Sequence, residues 1–545
     1  MLGVTMLSPV TACAAPTSHD PPNFVIILAD DMGFSDVGSY GGEIQTPNID
    51  RLAANGLRFT QFYNTGRCWS TRSALLTGYY AQQIRMDPPE ESLPAWTQFI
   101  AQHLGPLGYR SYHAGKWHVL GAPKVVADAG FDRSYKLVDQ DRYFSPQQHF
   151  LNDNLLPPVA RETGYYATTA ITDYAIQWLD EHAEKHAEQP FLLYIAFTAP
   201  HFPLHALQED IQRYRDRYGS GWDSVRQERW ARIQELDIAT GSLPARDGQL
   251  TPRYWKSEVM TQIGPGEVNR AFAWADLTAE QKRLQATKMA IHAAMIDRMD
   301  REIGRVLNRL ERMGELDNTV VFFLSDNGGD ATLMVRGDGH DPNALPGSAS
   351  SYLALGPGWA TVSNTPFRYH KIWVHEGGIS TPLIVHWPAG IEARGELRRN
   401  MGHVIDLVPT ILDLAGSQVL GEEQPSRAPP LPGRSLVPVF EEDGSVEREF
   451  LFFHHEGNRA LRVAEYKLVS ARENGAVWEL YDLSKDRSET LDLAEQEPQR
   501  VEQLEARWEE LERRFRIQSA SDKAGEWKST RTAGREREEL EHHSR

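Results

Sequence analysis

Cysteine is almost absent from this chain: only Cys13 and Cys68 occur among 545 residues, which excludes a disulfide framework. No window approaches the roughly 18 apolar residues that span a bilayer, so we expect no transmembrane segment. Positive charge is also scarce, since 57 Lys and Arg against 75 Asp and Glu give a net charge of -18. This balance argues against nucleic acid or an anionic membrane as a partner. An anionic substrate would therefore need a local cluster of Lys, Arg and His.

The first 22 residues contain no Lys or Arg, and their short apolar run ends in small residues around Cys13. Small residues are typical of a signal-peptide cleavage site, and Val10-Thr11-Ala12-Cys13 is similar to a bacterial lipoprotein processing box. The missing basic region and the short apolar region argue against export. On the small residues around Cys13, residues 1–22 are a candidate signal or lipoprotein segment leading to the periplasm. A cytoplasmic location is the alternative.

Continuous apolar runs of strand length alternate with helical patterns along the first four-fifths of the chain. The runs cover residues 23–29, 109–114, 191–197, 319–325 and 381–387, and the clearest helical patterns cover 166–184 and 288–314. Runs without polar alternation indicate strands that are buried on both faces. Their alternation with helices predicts a layered α/β fold with a mostly parallel sheet.

A change in composition predicts a second, smaller unit at the carboxyl end. Residues 421–433 are rich in Pro, Gly and Glu, so we expect a catalytic domain over 23–430 and a subdomain over 431–520. Strand-like runs at 449–454, 461–469 and 477–481 predict an antiparallel sheet there. A final helix would dock through one apolar face formed by Val501, Leu504, Trp508, Leu511 and Phe515. Residues 521–545 form a charged tail.

Two other segments look inserted into the α/β pattern. Residues 218–267 mix a charged helical stretch with loops, and residues 330–364 are rich in Gly, Ser and Pro. Because the second segment is too long for a simple connector, we expect it to be a lid or a cleft wall.

Carboxylates follow two of the buried runs directly. Asp30 and Asp31 come after the first run, and Asp326 and Asn327 come after the run at 319–325. The carboxyl ends of strands in open α/β sheets form the ligand site. Adjacent carboxylates repel each other unless a cation lies between them, and hard oxygen ligands suit Ca²⁺ or Mg²⁺ rather than zinc.

Cationic groups follow the other runs. Lys116 and His118 come after the run at 109–114, His201 after the run at 191–197, and Lys371 lies within the polar cluster 364–371. Together with a divalent cation at the same end of the sheet, these groups describe a site for a tetrahedral anion, either sulfate or phosphate.

Arg72 follows Cys68 by four positions, and a short apolar turn comes after it. This pattern predicts a helix that begins at Cys68, and a helix amino terminus favours a reactive, negatively charged group. A lone cysteine is more often a small buried hydrophobe. The carboxylates and cations that follow the predicted strands favour the interpretation that Cys68 is reactive.

With these motifs assembled, the chain resembles the type I sulfatases of the alkaline phosphatase superfamily, and most closely their bacterial arylsulfatase branch. The resemblance extends from residue 23 to residue 483. The matching motifs are Ala29-Asp30-Asp31-Met32-Gly33, Thr46-Pro47-Asn48-Ile49-Asp50, Ala114-Gly115-Lys116-Trp117-His118, Ser325-Asp326-Asn327-Gly328 and His375-Glu376-Gly377-Gly378. The resemblance implies a three-layer α/β/α fold with a large mixed sheet, together with hydrolysis of a sulfate ester.

The resemblance also implies a role for each site residue. Cys68 would be oxidised to formylglycine by a maturase, and its hydrate would be the nucleophile. Asp30, Asp31, Cys68, Asp326 and Asn327 would bind Ca²⁺ in preference to Mg²⁺. Arg72 would stabilise the deprotonated hydrate, Lys116, Lys371 and His201 would bind the sulfate, and His118 would assist its final release. The attacking hydroxyl would lose its proton to Asp326, and the alcohol would leave with a proton from His201 or Lys371.

Ser70 departs from the family's modification signature, which has Pro or Ala at this position, and this puts efficient formation of formylglycine in question. Two alternatives therefore stay open: a phosphonate monoester or phosphodiester hydrolase on the same scaffold, and an unmodified anion-binding protein. For a sulfatase we expect a small sulfated substrate, an aryl sulfate or a sulfated sugar, and the sequence leaves open whether the leaving group is a phenol, a sugar or another alcohol. Five aromatic residues are candidates either for a cleft that binds rings or for the core: Phe34, Trp69, Trp117, Trp359 and Trp373.

Overall fold

A large twisted sheet forms the centre of the molecule. The structure, a computed structural model, describes residues 21–417, 428–444 and 446–522. Within these ranges the sheet has eleven strands in the order β10-β2-β9-β8-β1-β7-β3-β4-β5-β6, with β11 also beside β2. The strands are β1 Asn23–Ala29, β2 Leu57–Tyr63, β3 Arg110–Lys116, β4 Arg133–Leu137, β5 His149–Leu151, β6 Asn154–Leu155, β7 Phe191–Ala196, β8 Thr319–Ser325, β9 Ser380–His386, β10 Glu396–Arg398 and β11 Gly402–His403.

Helices cover both faces of this sheet. Those that the structure describes are α1 Pro47–Ala54, α2 Cys68–Thr77, α3 Ile100–Leu104, α4 Ala167–Lys185, α5 Gln208–Gln212, α6 Trp222–Glu235, α7 Ser257–Ile263, α8 Ala279–Met313, α9 Pro357–Ser363, α10 Glu376–Ile379, α11 Leu407–Leu414, α12 Pro438–Glu441 and α13 Pro498–Ser519. None of the helices in the described ranges is both long and apolar enough to cross a membrane.

The central strands show why the sheet is buried on both faces. Along β1, Val25 and Ile27 pack into one core with α4 and α8, while Phe24 and Ile26 pack into the opposite core with α2 and α11. Successive side chains of a strand point to opposite faces, so a strand between two helical layers must be apolar throughout. The predicted three-layer α/β/α fold is confirmed. β1 pairs in parallel with both β7 and β8, whereas β9 is antiparallel to β8.

All five predicted strands are present, and their bounds differ from the prediction by two residues at most. The prediction missed β2, because Arg58 and Gln61 interrupt its apolar pattern; the strand pairs with β9 on one side but only with the short strands β10 and β11 on the other. It also began α8 too late. Thr278 caps that helix by accepting a hydrogen bond from the Gln281 amide at 3.2 Å, and the helix starts at Ala279.

The carboxyl end folds as a four-stranded antiparallel sheet with a helix against it, as predicted in outline. Its strands are β12 Leu451–His455, β13 Asn458–Val463, β14 Tyr466–Ser470 and β15 Trp478–Asp482. The single run predicted at 461–469 is in fact part of a hairpin that turns at Ala464, whose φ is 52°. On α13, Trp508, Leu511 and Phe515 are buried, and Val501 and Leu504 are half-buried.

Several predictions fall on residues outside the described ranges. These are the lipoprotein box at Cys13, most of the signal segment 1–22, most of the boundary segment 421–433 and most of the charged tail 521–545. The domain limits and the export route therefore stay predictions.

Candidate active site

The strand ends bring the predicted carboxylates together. β1 and β8 are neighbours in parallel register, with Ala29 beside Ser325, so the residues that follow each strand lie side by side. The amide of Asp31 donates to Asp326 Oδ1 at 3.2 Å, and Asn327 Nδ2 donates to Asp31 Oδ1 at 2.7 Å. Asp30, Asp31, Asp326 and Asn327 are all buried. Four side chains with oxygen atoms thus lie close together in the interior, at the carboxyl edge of the sheet.

Three buried cations surround this cluster. Lys116 Nζ donates to Asp30 Oδ2 at 2.7 Å, and Lys371 Nζ donates to Asp31 Oδ1 at 2.6 Å. Arg72 contacts Asp326 Oδ2 through both Nε at 2.9 Å and Nη2 at 2.8 Å. Burial opposes the charge on Lys371, but Asp31 and Asp330 outweigh it and raise the pKa of this lysine, so the ammonium stays charged.

Cys68 is the first residue of α2 and is 2% exposed. Its Sγ lies within 4.8 Å of carboxylate oxygens of Asp30 and Asp326. The helix begins there because Arg67 has an extended backbone, and it ends at Gly78, which adopts a φ of 77°. The prediction of a helix amino terminus at Cys68 is confirmed. The helix points its positive end at the carboxylate cluster.

Part of this arrangement depends on close backbone approach and on unusual backbone angles. A Cβ on Gly328 would lie 1.9 Å from the Gly377 carbonyl oxygen, so only glycine allows this turn to contact the segment that follows Lys371. Asp31 and His118 both have left-handed backbones, with φ of 65° and 52°. Such conformations cost free energy in residues other than glycine and cluster at functional sites.

The oxygen atoms of the cluster have the arrangement that a hard cation requires. Asp30 Oδ1, Asp31 Oδ2 and Asn327 Oδ1 are buried without any hydrogen-bond partner. Burial, with Asp326 and Asp31 adding to it, raises the pKa of Asp30 well above its ordinary value, although Lys116 and Arg72 oppose the shift. A divalent cation bound to the free oxygens would satisfy them and stabilise the ionised carboxylates. The donor set therefore fits Ca²⁺ or Mg²⁺.

Two histidines complete the site. His201 Nε2 lies 3.5 Å from Asp31 Oδ2, and its Nδ1 contacts the Phe202 carbonyl. The His118 ring packs edge-on against Trp69 at 5.8 Å between centroids, and its Nδ1 is unpartnered. Burial and the neighbouring cations Lys116 and Lys371 lower the pKa of His201, and burial with Lys116 and Arg72 lowers that of His118. Both imidazoles are therefore neutral near pH 7 in the absence of substrate.

The structure thus brings together every residue that the sequence placed in the site, and it adds others. Asp330 Oδ2 lies 3.5 Å from Lys371 Nζ, and the Arg67 guanidinium packs over Trp69 at 4.5 Å from the ring centroid. Asp330 directly follows the Asp-Asn-Gly-Gly turn and Arg67 directly precedes Cys68. Adjacency to these motifs was the one sequence signal that could have found them.

The aromatic candidates divide between core and cleft. Phe34, Trp117, Trp359 and Trp373 are at most 2% exposed, and Trp359 packs against Trp222 in the core. For these four the core alternative is correct. Trp69 alone is half-buried, beside Cys68.

The segment 330–364 is fixed in place by packing. Leu333, Met334 and Tyr352 form a buried cluster with Phe202, and the Leu333 amide bonds to the Tyr254 carbonyl at 3.0 Å. The segment therefore packs beside the residue that follows His201, and its role as a lid or a cleft wall stays a prediction. Segment 218–267 is likewise integral to the fold, because Arg229 on α6 pairs with Asp36 and Glu43, both at 2.7 Å.

Ser70 is buried in the first turn of α2 and is fully hydrogen-bonded. Its Oγ lies 2.7 Å from Thr65 Oγ1 and donates to the Arg67 carbonyl at 3.1 Å. The residue that departs from the modification signature therefore supports the loop before Cys68 in the folded protein.

Comparison with known proteins agrees with this fold and site. A sequence model described as Sulfatase matches residues 22–417, and one described as N-sulphoglucosamine sulphohydrolase, C-terminal, matches residues 367–515. An uncharacterised sulfatase from Schizosaccharomyces pombe is 30% identical over 92% of this chain and 95% of its own length. An arylsulfatase from Klebsiella aerogenes is also 30% identical, over 73% of this chain and 87% of its own length.

Solved structures show the same fold. One, described as a complex with its substrate D-glucosamine-2-N,6-O-disulfate, aligns with a TM-score of 0.62 and 21% identity over 91% of this chain and 98% of that chain. The class that fold and site define is thus a hydrolase of anionic esters. More particularly, the chain belongs to the sulfatase family, enzymes that hydrolyse sulfate esters.

Proposed function

We propose that this protein cleaves a sulfate monoester to an alcohol and inorganic sulfate, with Cys68, converted to formylglycine, as the nucleophilic position. The observation that carries the proposal is the burial of Cys68 within 4.8 Å of both Asp30 and Asp326, at the amino end of α2. An ordinary core cysteine would have apolar neighbours, whereas this one is adjacent to two carboxylates and to the Arg72 guanidinium.

Asp30, Asp31, Asp326, Asn327 and the modified Cys68 would hold a calcium ion. When bound, the ion supplies Lewis-acid stabilisation of negative charge on the nucleophile and on the transferring sulfate. The oxygen-only set of unpartnered donors supports Ca²⁺ over a softer metal.

The cations of the chain bind and orient the sulfate. Lys116 and Lys371 are paired with Asp30 and Asp31, so their ammonium groups are held at fixed positions beside the nucleophile. Arg72 is fixed by Asp326 and by the Lys116 carbonyl, to which Nη1 donates at 2.8 Å. Preorganised positive charge of this kind stabilises the charge that develops on equatorial oxygens in the transition state.

His201 is placed to move a proton at Nε2. Because a carbonyl oxygen can only accept, the contact of Nδ1 with the Phe202 carbonyl leaves the hydrogen on Nδ1 and the lone pair on Nε2. A proton taken up from solvent at Nε2, 3.5 Å from Asp31, would then pass to the departing alcohol oxygen, and the ring would return to its neutral form. Lys371 is the second candidate for this donation. His118, on the Trp69 side of the site, is the base that we assign to the release of sulfate.

The test is sulfate release from 4-nitrophenyl sulfate by purified protein supplied with Ca²⁺, compared with Cys68→Ala and with Cys13→Ala as the matched control. We expect the Cys13 variant to keep the wild-type rate and the Cys68 variant to lose it. Equal rates for wild type and Cys68→Ala would contradict the proposal. A faster rate on 4-nitrophenyl phenylphosphonate than on the sulfate would instead favour the phosphonate hydrolase.

A further inference from the structure

Arg67, the residue immediately before Cys68, carries a buried guanidinium that has no anionic partner. The residue is 8% exposed, and its Nε is buried without a hydrogen bond. Among the residues that the structure describes, no carboxylate oxygen lies within ion-pair distance of Arg67, whereas Arg72, Lys116 and Lys371 each have one. A buried arginine without a carboxylate is costly unless another anion pairs with it.

Aromatic rings hold this guanidinium in a fixed position. Its central carbon lies 4.5 Å from the Trp69 ring centroid and 5.2 Å from that of Tyr254. Stacking on rings fixes the plane of a guanidinium but uses none of its N–H donors. The donors of Arg67 thus stay free while the group itself is preorganised.

The carboxylates closest to Arg67 are already engaged by other groups. Glu456 accepts from the Tyr254 hydroxyl at 2.6 Å and lies 2.9 Å from Arg253 Nε. Asp330 accepts from the Thr332 amide at 2.8 Å and lies 3.5 Å from Lys371. Both carboxylates favour the charge on Arg67 from a distance, but neither forms an ion pair with it, although Asp330 Oδ2 accepts no hydrogen bond from any other group that the structure describes.

From this arrangement we propose that Arg67 is a specificity-determining residue that binds a second anionic group on the substrate, a carboxylate or a second sulfate, carried by the leaving group. The inference rests on the proposed function and adds the substrate class to it: a sulfate ester with another negative charge close to the scissile bond. Arg72, Lys116 and Lys371 are committed to the carboxylate cluster and to the reacting sulfate, so Arg67 is available for this second group. A guanidinium fork is well suited to either oxyanion.

The experiment compares kcat/KM for two matched pairs of sulfate esters. The carboxylate pair is 4-(sulfooxy)benzoate and its methyl ester; the sulfate pair is D-glucosamine 2-N,6-O-disulfate and D-glucosamine 6-sulfate. Each preference is measured in wild type, Arg67→Gln, Arg67→Lys and Arg459→Gln. Arg459 is the matched control, because its guanidinium also stacks on tryptophan, 4.4 Å from the Trp478 centroid in the small sheet.

The change in preference between variants is the informative quantity. Dividing the rates of one preparation cancels the fraction of protein that carries formylglycine, which a substitution beside Cys68 can alter. Comparing variants on the same pair also cancels the intrinsic reactivity of the two leaving groups. We expect Arg67→Gln to reduce the preference for the doubly anionic member by roughly tenfold to a hundredfold, as for a lost charge-assisted hydrogen bond. Arg67→Lys should keep most of the preference and Arg459→Gln all of it.

The pair that responds identifies the second anion as carboxylate or sulfate. A preference that stays within about twofold of wild type in both pairs for Arg67→Gln, well below the loss expected for such a bond, overturns the inference while leaving sulfate hydrolysis intact. If formylglycine-containing wild type releases sulfate from none of the four esters, the proposed function fails and the inference fails with it.

Discussion

Glu376 is the most informative position for a perturbation outside the site, because its carboxylate joins the small sheet to the large one. Lys467 on β14 donates to its Oε1 at 2.9 Å, and Arg487 contacts its Oε2 at 3.0 Å. Tyr63 on β2 donates to Oε2 at 2.9 Å. Glu376 also begins α10, a few residues after Lys371, so the same contacts hold the segment that carries an active-site lysine.

Replacing Glu376 with glutamine leaves the buried Lys467 with Glu489, 2.8 Å away, and removes the carboxylate that pairs with the buried Arg487. Breaking a buried ion pair by removing one partner costs roughly 3–5 kcal/mol. Because the amide keeps an oxygen that accepts from Tyr63, we expect a loss of about 3 kcal/mol, near the lower end of that range.

The assay is urea unfolding of wild type, Glu376→Gln and a control, Glu311→Gln. Glu311 pairs with Arg51 at 3.0 Å, but their side chains are 45% and 44% exposed, so its loss should cost about 0.5 kcal/mol or less. Although burial opposes ionisation, Lys467 and Arg487 lower the pKa of Glu376 below its ordinary 4.5. The stabilisation is therefore present above pH 4.5 and is lost as the pH falls towards the lowered value. Equal midpoints for the two variants at pH 7, or a Glu376 effect that grows in acid, would refute this reasoning.

Two further predictions concern the site itself. Chelation of divalent cations should abolish sulfate release and lower the melting temperature, because Asp30, Asp31 and Asp326 then repel one another. Ca²⁺ should restore both properties more effectively than Mg²⁺ at equal concentration. Activity assays measure the first property and calorimetry the second. Ser70→Pro should fold with a loss of about 1 kcal/mol from its hydrogen bonds to Thr65 and Arg67, since the first helical turn tolerates proline. The same substitution should raise the fraction of Cys68 converted to formylglycine, as read by peptide mass spectrometry, and an unchanged fraction would remove Ser70 as the limiting feature.

The large sheet and the site were predictable for the same physical reason. A strand between two helical layers must be apolar along its whole length, so β1 and β8 are visible as runs, and the polar residues that follow them mark the carboxyl edge. β2 is half polar because Arg58 and Gln61 are only half-buried, and nothing in its pattern separates it from a loop. Strands of that kind are recognised only once their neighbours are known.

Individual pairings within the site were not predictable. The sequence shows that Asp330 follows a glycine-rich turn and that Lys371 lies in a polar cluster, but their 3.5 Å separation depends on how Gly328 packs against Gly377. The free guanidinium of Arg67 depends on Tyr254, which lies far away in the chain and reaches the site through segment 218–267. The sequence likewise does not separate tryptophans of the core from those of the site. Trp69 contacts Arg67 and Trp359 packs against Trp222 only because the fold brings these partners together.

The central claim is that Cys68, once converted to formylglycine, supplies the nucleophile for sulfate ester hydrolysis. The most direct test measures sulfate release from 4-nitrophenyl sulfate across preparations whose formylglycine fraction is determined by mass spectrometry of the peptide containing Cys68. The account predicts a rate proportional to that fraction, with no activity where only cysteine is found. Undiminished activity in protein that contains only cysteine, or no activity in fully converted protein supplied with Ca²⁺, would contradict it.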